Sequence, residues 1–276
     1  MKPRNERLAR SIADFWGKSL GPEDREWYSI SAVDGSGTAE IRIYDVIGWP
    51  FIDANTFVGE LNALQASDVT VRINSPGGDV FDGTAIYNAL VAHPAKVTTR
   101  IEGLAASMAS VIAMAGDTVE IAKNAYVMIH NPWTFAVGDH VSLTHEADVL
   151  QRIAATLAQV YADKTGLAPK DVQALMDAET WYIGQEAVDA KFADQLTNQG
   201  SASARFDLSI FDHAPETPAE PTKRDLERVL TQDAGLSRSM ARALLQSGFD
   251  AITTRDAGDC DLTEAKLFIQ SMGDSK

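Results

Sequence analysis

The chain has 276 residues, 45% of them hydrophobic, and a formal net charge of −15. That length holds one large domain, or one of about 200 residues with an appendage. The acidic balance excludes the basic stripe with which nucleic-acid binders displace counterions. A single cysteine, Cys260, excludes an internal disulfide and a cysteine-based metal cluster. The five histidines form no short ligand pair, His140 and His145 being off the spacing of one helix face. No metal or other cofactor is expected. The longest apolar stretch, Leu104 to Gly116, is interrupted by Ser107 and Ser110 and falls short of the roughly 20 residues that span a bilayer. The charged start, Met1 to Arg7, lacks the apolar core of a secretory signal. A soluble, cytoplasmic protein with no membrane partner is expected.

Residues 1–26 are polar and charged and read as an N-terminal extension. Ala39 to Ile47 alternates as a strand does, and Thr56 to Gln65 has helical spacing through Phe57, Leu61 and Leu64. Val69 to Asn74 predicts a second strand running into a Pro-Gly-Gly turn, Asp82 to His93 a helix, and Val97 to Ile101 a third strand. The apolar stretch that begins at Leu104 predicts a buried helix carrying Ser107. Strands follow around Thr118–Ile121 and Ala125–Ile129, then a long helix from Val141 to Thr165 that ends at Gly166. Shorter helices are expected at Pro169–Asp177 and Gly184–Lys191. Strands alternating with helices predict an α/β fold with a mostly parallel sheet. The stretch 199–223 is rich in Pro, Ala and Ser and reads as a linker. Residues 224–276 then read as a helical extension, with helical period from Lys223 to Gln246 and Gly235 and Gly248 as candidate caps.

Three segments carry chemistry. Gly103-Leu-Ala-Ala-Ser107-Met-Ala-Ser110 sets one hydroxyl among small residues that let a substrate backbone approach. Asn74-Ser-Pro-Gly-Gly78-Asp79 leads a strand through glycines into a helix, where backbone N–H groups can face an anionic oxygen with no Cβ in the way. It lacks the spacing of a phosphate-binding loop. Met128-Ile-His130-Asn-Pro132 puts an imidazole at a strand end, where a general base belongs. A serine hydroxyl needs a base to take its proton, and the oxyanion it generates needs fixed donors.

These motifs, in this order, resemble the Clp peptidase family over about residues 40–197. The resemblance implies a crotonase-like spiral of repeated β-β-α units with a long handle helix, and a serine peptidase domain at 27–198. It implies Ser107 as nucleophile, His130 as general base, and the backbone N–H groups of Gly78 and Met108 as the oxyanion hole. The triad acid departs from the family's Asp. Alignment on Glu186-Ala187 and Asp194 places Glu179 there, with Asp177 as the alternative.

The linker and helical tail after residue 198 are similar in layout to the Clp-like maturation proteases of tailed phages and prophages. That likeness implies homo-oligomeric rings acting on scaffold or coat proteins, in the host cytoplasm or an immature head. The alternative is a proteolytic subunit served by an ATP-dependent unfoldase. An acyl-CoA enzyme of the crotonase fold and an inactive scaffold subunit are the readings from other classes.

Overall fold

A computed structural model describes residues 27–33, 37–48, 54–198, 208, 210–215, 230, 231, 237, 238 and 242. The expected extension at 1–26, most of the 199–223 linker and most of the 224–276 tail lie outside the described residues. The chain forms two compact units, residues 1–214 and 215–276. In the second, Leu230 is buried, and Leu230, Thr231, Arg238 and Arg242 are helical.

The first unit is built on an eight-stranded sheet. β1 (Tyr28–Val33), β2 (Thr38–Ile43), β3 (Asp68–Ser75), β4 (Lys96–Ala106), β5 (Thr118–Ala122) and β8 (Gln195–Thr197) lie side by side in that order. β6 (Tyr126–Ile129) pairs with β4, and β7 (Thr180–Ile183) pairs with β6. β1–β2 and β6–β7 are antiparallel; the other pairings are parallel. The helices are α1 (Ala54–Ala63), α2 (Val80–Ala92), α3 (Met108–Ala113), α4 (His140–Thr165), α5 (Pro169–Asp177) and α6 (Gln185–Asp189). This is the α/β architecture that the alternation of strands and helices predicts.

Strand alternation and helical period meet in one core. Ile41, Ile43, Val69, Val71, Ile73, Val97 and Ile101 join a buried cluster with Phe57 and Leu61 of α1 and Ile86 and Leu90 of α2. Burying each such side chain fully is worth about 1.5–3 kcal/mol. α4 starts at Asp139, whose carboxylate accepts from the Ser142 N–H, and ends at Gly166 in the left-handed region. Its buried face presents Ala154, Leu157, Ala158 and Tyr161.

β4 departs from expectation in a way that builds the site. The sequence predicts its end at Ile101, yet it runs on to Ala106. Its first half pairs with β5, Thr98–Ile101 against Thr118–Ile121. Its second half pairs with β6, Leu104–Ala106 against Tyr126–Met128. A register shift on β3 between Ile73 and Ser75 accompanies the step. Gly-Leu-Ala-Ala has no strand period of its own, but partners on both sides supply the ladder bonds that make it a strand. The predicted Ser107 helix accordingly shortens to α3.

Candidate active site

Ser107 sits between β4 and α3 with φ 54° and ψ −127°, a backbone region that residues with a side chain enter at a cost of about 1–3 kcal/mol. Such a sharp strand-to-helix turn holds a serine hydroxyl clear of the backbone. Although Ser107 is the N-cap of α3, its hydroxyl makes no capping bond and remains available for another partner.

The turn is pinned to β6. The Ser107 N–H donates to Met128 O at 3.0 Å. Ser110 Oγ lies 2.6 Å from Ser107 O and 2.8 Å from Met128 O, and 2.8 Å from the Tyr161 hydroxyl of α4. Parallel pairing of Ala106 with Met128 sets the two strand ends level, so the residues just beyond them meet. His130 Nε2 lies 2.8 Å from Ser107 Oγ. Burial pushes the His130 imidazole down to about 4, against the opposing pull of the Glu179 charge. The ring is therefore neutral near pH 7 and has a nitrogen free to accept a proton.

The Pro-Gly-Gly turn abuts the same elbow. The Ser75 hydroxyl donates to Asp45 O at 2.5 Å and accepts from the Gly77 N–H at 3.1 Å. Gly77 has φ 100°, and a Cβ there would lie 2.7 Å from Ser107 Cβ and 3.0 Å from Met108 N. At Gly78 a Cβ would lie 2.1 Å from Ile47 O. Ile47 bridges this turn by donating to Gly77 O and accepting from the Asp79 N–H, a pattern that leaves the Gly78 N–H directed the other way. Asp79 then caps α2, accepting from the Phe81 and Asp82 N–H groups. Gly78 and Met108, expected as the two donors, flank one elbow.

The two acid candidates separate. Asp177 Oδ1 accepts from Asn131 Nδ2 at 2.7 Å and from Gln173 Nε2 at 2.9 Å. These bonds, Asn131's first, hold the exposed carboxyl below the usual range. Glu179 is the carboxylate whose charge acts on His130. It occupies a turn with φ 48°, followed at once by β7, which pairs Trp181 with Met128. Its Oε1 accepts from Trp181 Nε1 at 3.2 Å and the His213 N–H at 2.6 Å, and its Oε2 from the Asp212 N–H at 2.9 Å.

Those last donors belong to a stretch the sequence assigns to the linker. Phe211 is buried with Leu104, Ala106 and Met128, and Leu208, Ile210 and Ala214 pack around them. Sequence reasoning missed this segment, and it missed Ser110, Tyr161 and Trp181. The local signal was the apolar cluster Phe206, Leu208, Ile210 and Phe211 within an otherwise polar, proline-rich stretch. Among the described residues no group of His, Cys, Asp and Glu is arranged to hold a metal ion, and no helix is long and apolar enough to cross a membrane.

The Clp protease family model matches residues 39–200, which include the elbow, the glycine turn, His130 and Glu179. The chain belongs to the Clp protease family. It is similar to ATP-dependent Clp protease proteolytic subunit 1 of Leifsonia xyli, 31% identical over 150 residues that cover 52% of this chain and 76% of that protein. It is 33% identical to the ATP-dependent Clp protease proteolytic subunit of Bacteroides fragilis over 149 residues, 52% of this chain and 72% of the relative. Subunit 3 of Streptomyces coelicolor is 30% identical over 151 residues, 52% of this chain and 70% of that protein. Membership in the Clp family makes the chain a serine-type peptidase on a Clp-type α/β fold.

Proposed function

We propose that the chain is an endopeptidase using Ser107, His130 and Glu179 as its triad. The observation that carries this reading is the 2.8 Å contact between His130 Nε2 and a Ser107 hydroxyl that caps nothing. His130 Nε2 takes the Ser107 proton as Oγ attacks the scissile carbonyl, and the Glu179 charge stabilises the imidazolium that forms. The Gly78 and Met108 N–H groups receive the oxyanion; one such donor is worth roughly 3–4 kcal/mol in the transition state. His130 then returns the proton to the leaving amine. In the second half a water attacks the acyl-enzyme with His130 as its base, and His130 hands that proton back to Ser107 Oγ as the acid leaves.

The site works inside an assembly of identical subunits. Support comes from the large exposed apolar side chains Trp133, Phe135, Val137, Val141 and Leu143 just before and within the first turns of α4, a patch that a second copy would cover. The biological role proposed is maturation of a phage or prophage capsid, with scaffold or coat segments as substrates, in the host cytoplasm or the immature head. The family match ends at residue 200 while the chain runs on to residue 276, which suits a subunit that co-assembles with other head proteins. A second reading, work with an ATP-dependent unfoldase, is favoured by the names of the relatives.

Labelling the assembled protein with a fluorophosphonate tests the chemistry. An adduct on Ser107, absent from an equally assembled Ser107→Ala variant that hydrolyses no peptide, is expected; an unlabelled wild type sinks the mechanism. Portal and coat genes beside the coding sequence support the capsid role, whereas a neighbouring unfoldase gene favours the second reading.

A further inference from the structure

Glu179 has one more methylene than an aspartate and stands on a tight left-handed turn, so its carboxylate needs outside restraint to keep its charge acting on His130. The restraint comes from the segment 210–213. Two successive backbone N–H groups, at Asp212 and His213, reach one oxygen each of the Glu179 carboxylate, at 2.9 and 2.6 Å. The ring of His213 ties the segment to the same turn, its Nδ1 3.0 Å from Ala178 O. Backbone donors do not titrate, and they cannot rotate away as side chains can.

The segment also reaches the base. Phe211 meets the His130 ring edge-on, with centroids 5.5 Å apart and planes at 77°. It meets Trp181 in the same way at 5.6 Å and 75°. Edge-to-face pairs of this kind are directional, so Phe211 sets the plane of the imidazole as well as excluding water from it. These contacts gather on the side of the site that holds the base and the acid, and they join the two through one stretch of chain.

We propose that residues 210–213 form a positioning element of the triad, in which the Asp212 and His213 N–H groups aim the Glu179 carboxylate and the Phe211 ring fixes the His130 imidazole. The inference rests on the triad reading above. It gives a catalytic duty to a stretch whose composition reads as a linker, and it makes the peptidase site depend on residues beyond the family match at 39–200. The titratable groups around His130 are Glu179 on the turn after α5, Asp177 held by Asn131 beside it, and Asp212 and His213 of the segment.

The test uses full-length variants, a fluorophosphonate probe and a fluorogenic peptide, each followed across pH. His213→Pro deletes one N–H donor, while His213→Ala keeps it. Phe211→Ala removes the ring, while Phe211→Leu keeps an apolar plug. His213→Pro and Phe211→Ala should lower kcat roughly a hundredfold with KM nearly unchanged, as a misaimed catalytic group does. His213→Ala, which keeps the N–H but loses the ring's tie to Ala178 O, should lower kcat clearly less than His213→Pro. In Phe211→Ala the acid limb of kcat/KM should move up, because water regains the imidazole, and in Phe211→Leu it should move less. Should Phe211→Ala fail to fold, the proline–alanine pair at His213 and the pH limb of Phe211→Leu decide the matter. Wild-type kcat in His213→Pro and Phe211→Ala, or an unmoved acid limb in the Phe211 variants, overturns the proposal, and so does faster labelling, which would mark the segment as a brake. A wild type that takes no label at any pH counts against the serine mechanism itself, a separate failure.

Discussion

At the scale of residues, Glu179 stands on a left-handed turn that glycine would enter at about 1–2 kcal/mol less. Its side chain is what that cost retains. Glu179→Ala should therefore reduce peptide hydrolysis by roughly 10³-fold or more, in line with the loss of a triad acid elsewhere. Asp177→Ala, on an exposed carboxylate bonded to Asn131 and Gln173, should change it by less than about threefold, as surface substitutions away from the chemistry do. Steady-state rates of the two variants check the assignment. The pH dependence follows from His130, which burial takes from 6.5 down to about 4. A base acts while neutral, so kcat/KM should hold from pH 8 to below 6 and fall with a midpoint near 4. Glu179→Gln removes the charge that opposes burial and should move that midpoint lower. The sign for stability agrees: a depressed imidazole favours the fold above its ordinary value of 6.5, and that contribution is lost as pH falls toward about 4.

At the scale of elements, the elbow depends on the buried contact between α3 and α4 through Ser110 and Tyr161. Ser110→Ala leaves the Tyr161 hydroxyl buried without that partner, which costs about 1–3 kcal/mol. Tyr161→Phe removes the hydroxyl itself and should cost less. Urea unfolding of the two variants should rank them so, and Ser110→Ala should also react more slowly with the fluorophosphonate. The elements legible in sequence were those whose signal is local. β3 and α2 show it in β-branched residues, a Pro-Gly-Gly turn and a helical period, and α4 in its length and its closing Gly166. The elements missed depend on partners remote in the chain. β7 is four half-buried residues that exist as a strand because Tyr126 to Ile129 lie opposite. The second half of β4 is a strand only between Ser75 and β6. Ser107 and His130 were legible because small residues and a strand-ending histidine are local facts. Phe211 was not, since its role comes from His130 and Trp181, far upstream in the chain.

At the scale of the whole molecule, the first compact unit ends at Ala214 rather than at the end of the family match. A chain stopped after Ala214 should stay soluble and keep its peptidase activity, while one stopped after residue 200 should fold with activity down roughly a hundredfold. Sedimentation and peptide hydrolysis on the two truncations measure this. Under the proposed triad, chain order also bears on when the protein becomes active. Gly78, Ser107, His130, Glu179 and the Asp212–His213 pair enter in chain order, and contacts distant in sequence close late in folding. On that reading, a chain still emerging from the ribosome carries Ser107 long before Glu179 and residues 210–213. On the proposed assignment, peptidase activity begins only once nearly all of the first unit has been translated.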